Sequence, residues 1–163
     1  MNSSGMDITL RQMNADDASL HQEFIARLGP DDLRFRFGAR IGEVPHSERH
    51  RIAAVDHEAE ATFVAIRRRG GGGCEIVGEV RAREDAEGGH AEFAIAVRPD
   101  LQRQGVGRAL LEKLIGFCRA RQMTLLYGLV HPSNASMLAL ARRLGFHIDH
   151  VPGGRTAVVS LEL

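Results

Sequence analysis

Long apolar runs are missing from this 163-residue sequence. No stretch reaches the roughly 18 residues that a membrane-spanning helix needs, and the first residues lack the charged-then-apolar pattern of a secretion signal. An excess of one charge is missing too: Lys plus Arg is 21 and Asp plus Glu is 21. No general basic surplus is available for nucleic acid or an anionic membrane. Cysteine is scarce, and Cys74 and Cys118 sit in dissimilar contexts, which suits a reducing compartment. Together these absences predict a cytoplasmic protein with neither nucleic-acid nor membrane partners. What remains is 44% hydrophobic and 26% charged, as in an ordinary globular protein. A chain of this length buries about 70% of its unfolded surface without help from a metal or disulfide. One domain over residues 6–163 is expected, with residues 1–5 a tag or a disordered start.

Alternation over Ile8–Gln12 predicts a first strand. From Ala15 the spacing of Leu20, Phe24, Ile25 and Leu28 becomes helical, with Asn14 as amino-terminal cap and Gly29-Pro30 as stop. A second short helix is expected over Asp31–Phe37 and helical turns over Ser47–Val55. Strands follow at Thr62–Ile66, Ile76–Val80 and Ala91–Val97. The four glycines at Gly70–Gly73 feed no helix and lack a following Gly-Lys-Ser/Thr, so they read as a hairpin turn and not as a phosphate cradle. A helix begins near Gly107, with Leu111, Leu114, Ile115 and Cys118 on one face. Thr124–Val130 is a strand, Asn134–Leu144 a helix ended by Gly145, and Phe146–Val151 and Thr156–Leu161 a closing strand pair. The pattern predicts an α/β fold: a central mixed, mostly antiparallel sheet flanked by helices.

The chemistry is concentrated where the strand Ala91–Val97 runs through a short loop into the next helix. Gly105 and Gly107 stand at the helix start, where glycine lets a ligand approach the backbone. The first amides of a helix have no internal partner and lie at the positive end of its dipole. Arg103 and Arg108 add charge, so this loop is a candidate phosphate site. A dinucleotide fingerprint is excluded: its third glycine would be Leu110, and Met123–Val130 lacks the required acidic residue.

Gln102, Gly105 and Gly107 match the Gln/Arg-x-x-Gly-x-Gly/Ala signature, and Asn134, Leu140 and Leu144-Gly145-Phe146 follow at matching spacing. From about Asp7 to Leu163 the chain resembles the GNAT superfamily of acetyl-CoA-dependent N-acetyltransferases. That resemblance implies a GNAT-like fold and acetyl-CoA as cosubstrate. Ile95, Ala96 and Val97 would offer backbone groups to the pantetheine arm, as an added strand would. Arg103, Gln104, Gly105, Val106, Gly107 and Arg108 would hold the pyrophosphate. Asn134 would reach the pantetheine, although capping its own helix is an equally simple role.

Much of the family has a tyrosine directly after Leu140 as proposed acid, where this chain has Ala141. The only tyrosine, Tyr127, lies on a strand and does not inherit the role. Either the thiolate leaves without that acid, or the domain binds CoA without catalysis. Leu10-Arg11, Ala15–Ala18, Phe24, Leu28, Asp31-Asp32, Arg34–Phe37 and Met137–Phe146 are similar to bacterial Pat-type protein lysine acetyltransferases. The acceptor implied is a primary amine, a protein lysine first and a small amine second. Family members acting on protein amino termini carry a glutamate five residues before the asparagine, where Leu129 stands here.

A lysine with pKa near 10.4 is only about 0.1% neutral at pH 7, so a base must offset about 4 kcal/mol. Glu92 is the candidate, with burial at the start of its strand expected to raise its pKa; Glu79 is the fallback and His131 a competitor. His46 and His50, and His147 and His150, lack a third ligand, so no metal is expected. Cys118 falls on an apolar helix face, which predicts direct transfer in a ternary complex without an acyl-cysteine. A monomer or homodimer is expected.

Overall fold

Strands β1 (Ile8–Gln12), β2 (Glu60–Arg68), β3 (Cys74–Glu84), β4 (His90–Val97), β5 (Leu125–Val130), β6 (His147–His150) and β7 (Ala157–Glu162) form one sheet. Their order is β1-β2-β3-β4-β5-β7-β6. The computed structural model describes residues 7–29, 60–85, 88–151 and 156–163. The expected helices at Asp31–Phe37 and Ser47–Val55, and the start 1–5, lie outside these residues. Neighbouring strands are antiparallel except β4 and β5, which run parallel. A parallel pair requires a long crossover, and helix α2 (Val106–Ala120) provides it. The fold is thus the mixed α/β sheet that the sequence predicts.

Helix α1 (Ala18–Ala26) covers one face of the sheet. Its start is fixed locally: the Asn14 side chain accepts from the Asp16 N–H, and the Asp17 carboxylate accepts from the Asn14 N–H. A 3-10 turn at Ala15–Asp17 precedes the helix, so the helix proper begins later than the spacing suggests. Phe24 and Ile25 then pack with Met13, Val64, Ile66, Ile76 and Ala96.

The opposite face carries α2 and α3 (Ala135–Arg143). Leu110, Leu111, Leu114, Ile115 and Cys118 of α2 are buried against Val80, Ala82, Phe93 and Leu126. Each fully buried aliphatic side chain contributes about 1.5–3 kcal/mol. The helix lies so close to β3 that a Cβ on Gly78 would stand 2.9 Å from Leu110 Cδ1 and 3.1 Å from Val106 Cγ1. That contact seats the first turn of α2 directly over the centre of the sheet. The Gly70–Gly73 run is the β2–β3 hairpin turn, closed by the Arg69 N–H donating to the Gly73 carbonyl at 3.0 Å.

Candidate active site

The β4–β5 pairing is incomplete. The parallel register joins His90–Phe93 to Leu125–Gly128 and stops, although β4 continues to Val97 and β5 to Val130. Beyond Phe93 and Gly128 the strands separate, opening a wedge in the middle of the sheet. The ring of Phe93 fills the apex: a Cβ on Gly128 would lie 2.7 Å from it, so only glycine fits opposite.

The antiparallel ladder with β3 decides which β4 groups face this wedge. Arg98 donates its N–H to the Val77 carbonyl, so by alternation Ala96 and Ala94 also turn their backbone toward β3. Ile95 and Val97 turn theirs toward the wedge. Of the three backbone contacts implied by the family resemblance, Ala96 is therefore committed to Glu79 of β3. The free edge consists of the Ile95 N–H and C=O and the Val97 N–H; the Val97 carbonyl receives the Gln102 side-chain amide at 3.1 Å.

The wedge runs toward the amino terminus of α2. Gly105 caps that helix at φ +90 without a side-chain hydrogen bond, and Arg103 also has positive φ, at +65. The first intrahelical bond is from the Ala109 N–H to the Gly105 carbonyl, which leaves the amides of Val106, Gly107 and Arg108 directed outward. A Cβ on Gly107 would sit 3.5 Å from Leu140, 3.6 Å from Val97 and 3.8 Å from Ile95. Gly107 therefore keeps open the floor where the wedge meets the helix start. Unpaired amides at a dipole end suit phosphate oxygens, and a free strand edge suits an extended chain of amides. The residues present thus fit the pyrophosphate and the pantetheine arm of acetyl-CoA. Arg108 is paired with Glu112 at 2.9 Å, so its charge is already shared; Arg103 and Gln104 are exposed. Asn134 caps α3, accepting from the Met137 N–H at 3.3 Å through Oδ1.

The loop between β4 and α2 is anchored from below. Arg98, 8% exposed, holds Asp100 through two nitrogens at 3.0 and 2.6 Å and Glu75 at 3.0 Å. Glu75 is also held by Arg67 at 2.6 Å and Arg27 at 3.2 Å. Burial pushes the Glu75 carboxyl up, but the Arg67 hydrogen bond and the Arg98 and Arg67 charges outweigh it and hold it below the ordinary range. The Arg98 hydrogen bond likewise depresses Asp100.

The candidate base stands on the other face of the wedge. Glu92 is opposite Arg83 on β3 and Tyr127 on β5, at the paired end of the split. The burial expected for it is not found: Glu92 is exposed, because α1 covers the sheet farther along, over Val64, Ile76 and Ala96. Among the described residues its carboxylate has neither a hydrogen bond nor an ion pair. The fallback Glu79 is in the contrary situation, 0% exposed and 2.6 Å from His21, itself 1% exposed. It is inaccessible to an incoming amine. His131 is tied down through Nδ1, which accepts from the Ser133 N–H at 3.1 Å and lies 2.6 Å from its hydroxyl.

Leu129 is 54% exposed on the free part of β5, facing the same side as Glu92. Ala141 is buried in the core beneath α3. Burial pushes the Cys118 thiol up to about 11, so it carries no thiolate for acyl transfer. Sequence reasoning missed the neighbours of Glu92: Tyr127 and its partner Asp85 are brought there only by the β4–β5 register.

Residues 31–146 match the family model described as "Acetyltransferase (GNAT) family". An acetyltransferase of Pseudomonas aeruginosa is 28% identical over 155 residues, 95% of this chain and 83% of that protein. The [ribosomal protein bS18]-alanine N-acetyltransferase of Escherichia coli is 53% identical over 55 residues, 34% of this chain and 37% of that protein. In fold, the GNAT domain of S. lividans PAT superposes with TM-score 0.85 at 23% identity, covering 99% of this chain and 93% of that one.

Proposed function

The chain belongs to the GNAT acetyltransferase family, and from that premise we infer that it is an acetyl-CoA-dependent N-acetyltransferase acting on a protein lysine through Glu92 as general base. The observation that carries the base assignment is the position of Glu92: exposed, unpaired among the described residues, and at the point where β4 and β5 part. Acetyl-CoA, when bound, would supply the acetyl thioester; as the C–N bond forms, the C–S bond would break and the sulfur would leave as the CoA thiolate. The amides of Val106, Gly107 and Arg108 hold the pyrophosphate, and the Ile95 and Val97 edge aligns the pantetheine. This presents the thioester at the split from the α2 face. The amine enters from the face bearing Glu92, which takes its proton. Cosubstrate and amine thus reach one point from opposite sides, and no covalent enzyme intermediate is required.

Two features support lysine as the acceptor. Leu10-Arg11, Ala15–Ala18, Phe24, Leu28, Asp31-Asp32, Arg34–Phe37 and Met137–Phe146 are similar to the Pat-type lysine acetyltransferases. Leu129 occupies the place where amino-terminal acetyltransferases of the family carry a glutamate, and it offers an aliphatic wall instead. The test is a thiol-release assay with three substrates: a lysine peptide with blocked amino terminus, a free-amino-terminus peptide without lysine, and a polyamine. Turnover favouring the blocked lysine peptide is expected. Preference for either alternative would refute the lysine assignment.

A further inference from the structure

Tyr127 and Asp85 adjoin Glu92, and the proposed proton transfer uses neither of them. The parallel register sets Tyr127 directly opposite Glu92, and cross-strand partners project from the same face. The Tyr127 hydroxyl donates to Asp85 Oδ1 at 3.0 Å. Asp85 is fixed at the end of β3, where its own N–H donates to the His90 carbonyl at 2.8 Å. Burial raises the phenol above its ordinary pKa, and the Asp85 hydrogen bond and the Asp85 and Glu92 charges add to that. Tyr127 is accordingly neutral at physiological pH, with its single proton committed to Asp85. Toward the rest of the face it presents only oxygen lone pairs.

The groups around this spot include Arg83 and Arg81 on β3, His90 and Glu92 on β4, and Ser160 on β7, opposite Tyr127. No ion pair joins Arg83 to Glu92 among the described residues. A carboxylate and a phenol oxygen with no proton to offer therefore stand side by side, both suited to N–H donors.

We propose that Tyr127, oriented by Asp85, binds the incoming primary amine: its oxygen accepts one N–H while Glu92 takes the proton that must leave. Tyr127 gains and loses no proton. Loss of that proton leaves the lone pair on the Glu92 side, and rotation about the bond from carbon to nitrogen brings it to the split while an N–H returns to Tyr127. This rests on the reading of Glu92 as base. It also explains why Tyr127 does not replace the missing family acid, since its proton is directed away from the reacting atoms.

The test compares Tyr127→Phe, Asp85→Ala and Glu92→Gln with the wild type, varying amine and acetyl-CoA separately over pH 6–9. Tyr127→Phe removes one oxygen and keeps the ring. It is expected to lower kcat/KM for the amine about 10- to 100-fold, the effect of losing a hydrogen bond to a charged donor. The KM for acetyl-CoA, the melting temperature and the rise of activity with pH stay as in the wild type. Asp85→Ala, which frees the phenol proton to turn toward Glu92, raises the amine KM in the same direction and carries the test if Tyr127→Phe fails to fold. An amine kcat/KM within twofold of wild type in Tyr127→Phe would overturn the proposal. So would equal losses in amine KM, acetyl-CoA KM and melting temperature, which mark a structural role. Glu92→Gln separates the two ideas: retained turnover there sinks the base itself, whereas a loss there with an unaffected Tyr127→Phe sinks only the amine-binding role.

Discussion

The proposed reaction turns on Glu92 and Gly107, and each is expected to fail in a different way when changed. Glu92→Gln keeps size and polarity but accepts no proton. Turnover at pH 7 is expected to fall roughly 10²- to 10⁴-fold and to recover partly at high pH, where more amine is already neutral. Acetyl-CoA affinity, measured by calorimetry, should hardly change, because the proposed phosphate site at the start of α2 lies apart from Glu92. Gly107→Asp reverses that pattern. Its carboxylate would enter the floor formed by Leu140, Val97 and Ile95 and repel phosphate, so acetyl-CoA binding is lost in a folded protein. Gly107→Ala is the steric control, since its Cβ meets only ordinary contacts of 3.5 Å and more. Gly105 is the poorer site for such a test, because at φ +90 any side chain strains the backbone as well.

At the scale of elements, the buried pair between His21 of α1 and Glu79 of β3 ties the helix to the sheet. Leaving a buried polar group without its hydrogen-bond partner costs about 1–3 kcal/mol. Glu79→Gln should therefore depress the melting temperature markedly, whereas Glu92→Gln leaves it unchanged; thermal melts of the two variants check this. A second element-level prediction concerns acid. Glu75 and Asp100 titrate below their ordinary values in the folded state. Their contribution to stability is complete above the unfolded carboxyl pKa values, near 4, and is lost as pH falls through the depressed ones. Denaturant melts at pH 7 and below pH 4 should show that loss, and Arg98→Met should reduce it. Because Arg98 also fastens the turn before Gly105, the same variant should weaken acetyl-CoA binding.

Most of these elements are legible in the sequence because their signals are local: the Asn14 cap, the α2 stripe, the Gly145 stop and the Gln102–Gly107 loop. Glu92 is singled out by its strand and its family resemblance, but its exposure is not, since that depends on where α1 lies over the sheet. The Tyr127–Asp85 contact joins residues 42 apart and depends on a parallel register that periodicity cannot encode. The buried state of Glu79 has the same origin, because a carboxylate in an apolar strand reads as solvated until His21 is brought to it across 58 residues.

For the whole molecule, the wedge between β4 and β5 makes occupancy and stability one property. A sheet split at its centre has two interior half-edges whose amides exchange with water until something pairs with them. A ligand that completes this hydrogen bonding acts as a reversible structural member, and mass action sets how much it stiffens the protein. At 100 times Kd, acetyl-CoA should add about 2.7 kcal/mol. For a chain of this size that is a rise in Tm of about 5–10 °C. A nucleotide lacking the pantetheine arm should bind at the α2 amides, yet leave hydrogen exchange at the Ile95 and Val97 amides fast. Only a ligand that carries the pantetheine arm should slow them, so the isotope content of two amides would report whether that arm is seated.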